Sequence, residues 1–375
     1  MTTDIWDSVI GQRHAKALLT KARAQERLAH AYCFWGPEGT GKSALALAFA
    51  KTLLCEKGLD TPCGSCPSCK KLITLQHPNL KFIFALPGGD AKKNGDGDTL
   101  ENEVRDEVRR QIAKKAAEPY AAICIPKATA IRIRDIRAIR KEASMTATEK
   151  GKKIFILLDV DTMNEASANA FLKVLEEPPE DTLFLLVTAH KEQVRQTILS
   201  RCQAVQCIRL TEDEITQALV AREGIDAERA RLTARLSDGS YTRALSLLNE
   251  DLDTQRADAV AFMRGCLGHA VIKFFDDQEE YLSSKKREPV EQLLHLLLVW
   301  FRDAIIYRER GETGVINRDQ LSDIASFVSR FGGSDLAACA SEVEKALGLL
   351  RRNVYLPLVL LSLTVQLKRL LLHGK

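Results

Sequence analysis

Eight residues near the start of the chain, Gly36-Pro-Glu-Gly-Thr-Gly-Lys-Ser43, constrain its fold more than any other stretch. They fit the pattern G-x-x-x-x-G-K-[ST], and the flanking sequence supplies the context that pattern needs. The preceding Ala-Tyr-Cys-Phe-Trp, residues 31–35, is short, apolar and aromatic, as a buried strand is. The following Ala-Leu-Ala-Leu-Ala-Phe-Ala, residues 44–50, consists largely of strong helix formers. Strand, glycine loop and helix in that order predict an α/β domain that binds a nucleotide. Gly36, Gly39 and Gly41 permit positive φ, so the backbone can wrap closely round a phosphate. The loop N–H groups, that of Thr40 among them, and the start of the helix then offer donors and a positive dipole end to the anion. Lys42 is expected to reach the β- and γ-phosphates, and the Ser43 hydroxyl to ligate magnesium. The cofactor expected is therefore ATP, or ADP, with Mg2+.

A second apolar run, Lys-Ile-Phe-Ile-Leu-Leu-Asp at 153–159, reads as a buried parallel strand ending in a carboxylate. An acid at the carboxyl end of a central strand can hold the magnesium shell beside such a loop, which makes Asp159 a candidate. Ala168, Phe171, Val174 and Leu175 lie at helical spacing within 165–177, and Pro178-Pro179 stops that helix. A third buried run, 183–187, ends in Thr188, which would lie near Asp159 if the two strands are neighbours.

Four of the ten cysteines cluster as C-x7-C-x2-C-x2-C at Cys55, Cys63, Cys66 and Cys69. In a chain without secretory features such a cluster reads as a metal site before a disulfide framework. Four thiolates at this spacing can enclose a tetrahedral Zn2+ with no open position, a structural kind of site. Pro62, Gly64 and Pro67 suit the turns of a knuckle.

The first seven residues are acidic where a signal peptide is basic, and apolar runs such as 296–301 are far short of a membrane span. A cytoplasmic protein without a membrane partner is expected. A net charge of +4 does not by itself argue for nucleic acid. Residues 86–97 read as a flexible loop, and the charged helical stretch 99–117 as a solvated face. The basic stretch 127–153, with Arg134, Arg137 and Arg140, reads first as a solvated helix face and second as a surface for phosphates. From Thr211-Glu-Asp-Glu214, a capping box, the chain is helical to its end. Three domains are expected. The first, 1–208, is the nucleotide domain, carrying the cysteine module at 55–69 and an insert of unassigned role at about 86–126. A small helical domain, 209–254, and a leucine-rich helical domain, 255–375, follow.

Taken together, Val-Ile-Gly-Gln at 9–12, the phosphate loop, the four cysteines, Asn-Ala-Phe-Leu-Lys-Val-Leu-Glu-Glu-Pro-Pro at 169–179 and Ser-Arg-Cys at 200–202 resemble bacterial DNA polymerase III clamp-loader subunits. These are AAA+ proteins of the gamma/tau and delta-prime type. The resemblance is close over about the first 210 residues and architectural beyond. It implies a helical lid after the nucleotide domain and a C-terminal collar that assembles a hetero-pentameric ring with gamma/tau and delta subunits. The ring uses ATP to open the sliding clamp and place it on primer-template DNA. Arg201 of Ser-Arg-Cys corresponds to the finger that reaches the nucleotide of a neighbouring subunit.

Two departures bear on which subunit this is. Motor members carry Asp-Glu where this chain has Asp159-Val160, so the residue that polarises the attacking water is missing. Asp161 is near, and shares the side of Asp159 if the strand persists. The gamma type also has arginine at the position of Thr242, whereas Arg243 stands one residue further on. The leading expectation is thus a delta-prime type with weak or no hydrolysis of its own. The alternatives are a gamma/tau-like motor using Asp161 or another acid as base, and a DNA-binding scaffold.

Overall fold

The computed structural model describes residues 5–58, 61–87, 102–144, 149, 151–248, 252–267, 288–351 and 354–373. Packing divides the chain into two units, residues 1–230 with 238–243, and residues 231–237 with 244–375. Of the loop expected at 86–97, residues 88–97 lie outside the described part, as does Lys150 of the basic stretch.

The first unit is organised on a parallel sheet of five strands: β1 (Ala31–Trp35), β2 (Leu80–Ile83), β3 (Lys153–Leu157), β4 (Thr182–Thr188) and β5 (Gln203–Gln206). Their spatial order is β2-β3-β4-β1-β5. Every residue of β4 is buried, as a continuous apolar run requires when both faces of a parallel sheet are covered. It pairs on one side with β1, Trp35 opposite Thr188, and on the other with β3, Leu157 opposite Leu186. That register brings the carboxyl ends of three strands together, the place where ligands bind in open α/β sheets. Phe184 is stacked on Phe155 at 5.6 Å and meets the edge of Phe171 at 5.5 Å, forming one face of the core. On the other face Tyr32 meets Phe49 at 5.6 Å.

In chain order the helices of more than one turn begin with α1 (Arg13–Ala24), α2 (Lys42–Leu53), α3 (Pro67–Ile73), α4 (Asn102–Ala117), α5 (Ile133–Ser144) and α6 (Glu165–Glu176). All of residues 44–50 in α2 are buried, so the helix after the glycine loop is a core element. The capping box is present: Thr211 Oγ1 accepts from Glu214 N and opens α7 (Glu212–Glu223), which Gly224 closes with φ 69°. Next come α8 (Ala227–Leu236) and α9 (Tyr241–Leu248).

The second unit contains α10 (Leu252–Leu267), α11 (Glu288–Arg310), α12 (Leu321–Phe331), α13 (Leu336–Arg351) and α14 (Leu356–His373). Its core gathers Trp300 and Phe301 of α11 round Phe327, at 6.4 and 6.3 Å, with Phe331 beyond at 5.2 Å. Gly311, at φ 67°, ends α11, and Pro357 stands in the first turn of α14, where a missing N–H costs nothing. Asp303 is fully buried on α11. Its carboxylate accepts from Ile316 N, Asn317 N and Asn317 Nδ2 at 2.8–2.9 Å, and Arg256 Nε donates to Asn317 Oδ1 at 3.1 Å. Among the described residues no helix is long and apolar enough to cross a membrane.

Asp303→Ala removes the acceptor of three buried donors and is expected to destabilise this unit by about 3 kcal/mol. A urea titration followed through Trp300 fluorescence measures it, with an unshifted midpoint as the contrary result.

Candidate nucleotide and metal sites

The loop between β1 and α2 has the conformation its glycines anticipate. Gly36, Gly39 and Gly41 have φ 143°, 70° and 94°. A Cβ at Gly36 would lie 2.0 Å from the Cys207 carbonyl oxygen, and one at Gly39 would lie 1.8 Å from Ser240 Oγ. Close approach therefore requires these glycines as firmly as backbone conformation does. Thr40 Oγ1 and Lys42 Nζ both donate to the Pro37 carbonyl, at 2.9 and 2.7 Å, and curl the loop on itself. Tyr241 N donates to the Gly39 carbonyl at 3.0 Å. Gln12, from Val-Ile-Gly-Gln, donates to the Thr40 and Ile208 carbonyls and accepts from Ile208 N. One amide side chain thus joins the loop to the strand exit on its far side. Lys42 is buried, which lowers its pKa against the opposing pull of Glu38, Asp159 and Asp161.

The acidic residues are arranged differently from a strand that runs on. β3 stops at Leu157, Asp159 has φ 51°, and Val160–Thr162 form a turn of 3-10 helix. The alternation that would put Asp161 on the side of Asp159 therefore does not apply. Asp159 is exposed to solvent. The surrounding protein, together with Asp161, raises its carboxyl to about 6, while Lys42 and Lys115 pull it down. Thr188 does lie at the adjacent strand end, but its hydroxyl donates to Asp161, not Asp159. Val160 is buried in the apolar cluster of Ile131, Ile136 and Phe171.

The insert supplies the residues that the sequence reading missed. Lys115, on α4, is 1% exposed, and its Nζ donates to Ser43 Oγ at 2.7 Å and to the Ala121 carbonyl at 2.8 Å. Burial lowers its pKa to about 8, with Asp159 opposing. Five residues on, the Tyr120 hydroxyl accepts from Ile10 N at 2.8 Å, and its ring meets Tyr241 edge-on at 4.9 Å. A Cβ at Gly41 would lie 2.8 Å from that hydroxyl. The stretch read as a solvated face is solvated at Arg105, Asp106, Arg109, Arg110 and Lys114, but not along Val104, Val108, Ile112 and Lys115. Those four recur at helical spacing, and that phase was the signal available.

This arrangement does not fit a magnesium ion on Ser43. A Mg2+ at about 2.1 Å from Ser43 Oγ would lie about 4 Å from an ammonium bonded to the same oxygen. A double and a single positive charge at that distance repel by about 8 kcal/mol at an effective dielectric constant of about 20. The loop and Lys42 fit a phosphate group, whereas Ser43 is already engaged by a cation of the chain.

The four cysteines converge. Their Sγ atoms all lie within 4.8 Å of one another, and those of Cys63 and Cys69 are 3.9 Å apart. Sulfurs at the corners of a zinc tetrahedron stand about 3.8 Å apart. Backbone N–H groups point at the sulfurs: Cys63 N to Cys55, Cys66 N to Cys63 and Cys69 N to Cys66, at 3.3–3.4 Å. Donors from Ser65 and Cys66 bring Cys63 down to about 5, while burial pushes Cys69 up. Thiolates packed this closely need a cation among them, and a soft set of four suits Zn2+. Cys66 caps α3 and Pro67 occupies its first position, so the helix start itself shapes the knuckle.

Arg201 lies on the surface away from these groups. Its guanidinium donates to Glu176 Oε1 at 2.9 Å and to the Thr197 carbonyl at 3.0 Å. On α5, Ile136, Ile139 and Ala143 face the core while Arg137 and Arg140 are exposed and Arg134 is half-buried. The exposed arginines lie on a solvated helix face.

A parallel sheet in the order β2-β3-β4-β1-β5 with a phosphate loop after β1 defines a P-loop nucleotide-binding domain of the AAA+ class. Residues 11–211, more than half of the chain, match the family described as DNA polymerase III, delta subunit. The chain belongs to that family, the clamp-loader subunits of DNA replication. The DNA polymerase III subunit delta' of Bacillus subtilis is 27% identical over 84% of this chain and 83% of its own length. The subunit tau of the same organism is 28% identical over 85% of this chain, and that of Escherichia coli 29% identical over 69%. The chain spans 53% and 35% of those two relatives. Among solved structures, a DNA polymerase III gamma subunit-related protein of Thermotoga maritima aligns over 95% of this chain and 99% of its own, at 15% identity and a TM-score of 0.41.

Two glycine substitutions separate conformational strain from crowding. Gly58, at φ 60°, has nothing within 4 Å of an added Cβ, so Gly58→Ala should cost about 1 kcal/mol. Gly41→Ala adds a collision with Tyr120 and should cost about 3 kcal/mol. Thermal denaturation of the pair is the measurement, and equal losses would contradict the packing described.

Proposed function

We propose that this clamp-loader subunit is of the delta-prime type, binding a nucleoside di- or triphosphate with little hydrolysis and lending Arg201 to the nucleotide of a neighbouring subunit. The observation that carries the reading is the pairing of a complete phosphate loop with Val160, which sits in the apolar core where a water-polarising acid would be needed. Asp161 is a poor substitute, because its carboxylate already accepts the Thr188 hydroxyl. The chemistry that ATP supplies in such an assembly is phosphoryl transfer to water. This chain's part is to cradle phosphates with the 36–43 backbone and Lys42, and to stabilise charge elsewhere with Arg201.

Arg201 suits that task. Its partner Glu176 holds it in an exposed ion pair, and such pairs contribute only about 0–1 kcal/mol. Turning the guanidinium toward an incoming phosphate therefore costs little. A lid at 209–254 and a collar at 255–375 are part of the same reading. The exposed apolar stripe on α14, Leu358, Leu361, Val365 and Leu372, with Tyr355 just before it, supports the collar as the assembling surface. The partners are gamma/tau and delta subunits in a hetero-pentameric ring, the sliding clamp and primer-template DNA, in the cytoplasm. The cysteine module holds a structural Zn2+.

In a reconstituted ring whose other arginine fingers are replaced, Arg201→Ala should reduce ATP turnover at the adjacent site by about 10³-fold. An unchanged rate in that ring would refute the trans role. The isolated chain should turn ATP over negligibly. Elemental analysis should find one zinc per chain, lost when Cys63 and Cys66 are both replaced by serine. Purified protein that is folded and free of metal would count against the zinc assignment.

A further inference from the structure

Lys115 is an unusual residue to find where it lies. Lysine is almost never fully buried unless paired, and this one is buried beside the loop from an insert outside the motif. Its place is built and not incidental. The Ala121 carbonyl holds the ammonium from one side, and Tyr120, anchored by Ile10 N and packed on Tyr241, fixes the turn that brings Ala121 there. The remaining contact is Ser43 Oγ, the oxygen that in this loop pattern ligates the divalent cation. Asp159, the carboxylate that would hold the metal's shell, is the charged group that acts on Lys115. An ammonium has three donors, and two are used by Ser43 and Ala121.

We propose that Lys115 is the resident cation of the nucleotide site, standing where a divalent metal stands in a hydrolytic phosphate loop, so that this chain binds nucleotide without Mg2+. The inference rests on the reading that the loop binds nucleotide at all. The third donor of the ammonium is the one a phosphate oxygen takes, beside Lys42. A fixed single charge of this kind neutralises phosphate but does not present the octahedral shell of waters that magnesium brings. Retention of nucleotide and absence of turnover then have one cause in addition to Val160.

The test is calorimetric titration of the full chain with ADP and with ATP, in magnesium and in excess EDTA, for the wild type, Lys115→Met and Lys42→Ala. Lys115→Met keeps the packing and removes the charge. The wild type should bind with dissociation constants that agree within about threefold in the two buffers, and Lys115→Met should bind at least about tenfold more weakly in EDTA than in magnesium. Wild-type binding that weakens tenfold or more in EDTA overturns the proposal while leaving nucleotide binding intact. That comparison stands even if the variant misfolds. A wild type that binds nothing beside a Lys115→Met variant that binds in magnesium also overturns it, because the lysine then excludes the ligand. Absence of binding by every protein in both buffers, with Lys42→Ala indistinguishable from wild type, removes the nucleotide reading itself and this inference with it.

Discussion

The pairing of β1 with β4 is the interaction on which the rest of the first unit depends. β4 is buried from end to end, so its backbone groups must be satisfied by neighbours on both sides, and β1 and β3 supply them. A slip of one residue would turn each side chain of a strand to the opposite face and break the Phe155–Phe184–Phe171 packing. The register thus fixed sets Trp35 beside Thr188, and the glycine loop begins one residue later. Gln12 then holds the loop to the exit of β5 through Thr40 and Ile208. The site is a consequence of strand register before it is a consequence of any catalytic residue.

Charge within the site follows from that convergence. Two lysines, Lys42 and Lys115, lie close enough to Asp159 to act on it, and desolvation works against the charged forms of all three. Each lysine finds neutral oxygens to bond, the Pro37 carbonyl for one and Ser43 with Ala121 for the other. The site is therefore internally satisfied. The residue after Asp159 is by contrast apolar, a valine packed in the cluster of Ile131 and Phe171.

How much of this was legible in the residues depended on whether local pattern or tertiary approach decided the outcome. The loop, its flanking strand and helix, the cysteine knuckle and the capping box at Thr211 are local, and each was readable because spacing alone determines which groups meet. The strands that lead to Asp159 and Thr188 are neighbours, as their apolar runs allowed. The hydroxyl's partner was not legible, because β3 stops at Leu157 and a left-handed residue redirects the chain, so Asp161 takes it. Lys115 was obscured by composition: on a helix with so many charges, the stripe of Val104, Val108 and Ile112 is easily overlooked. The approach of Ser240 to Gly39 and of Tyr120 to Gly41 joins residues far apart in the chain, and no periodicity encodes it.

The cysteine knuckle has a mechanical meaning as well as a chemical one. Cys55 follows directly on Leu54, the residue that closes α2, while Lys42 and Ser43 open the same helix. A helix of twelve residues spans about 18 Å, and its buried middle leaves it no room to bend. It is a strut with the phosphate loop at one end and the four sulfurs at the other. Any shift of the loop along the helix axis arrives at the knuckle with little loss, and a metal that locks the knuckle stiffens the loop from behind. Two sites that share no side chain are thereby parts of one rigid body.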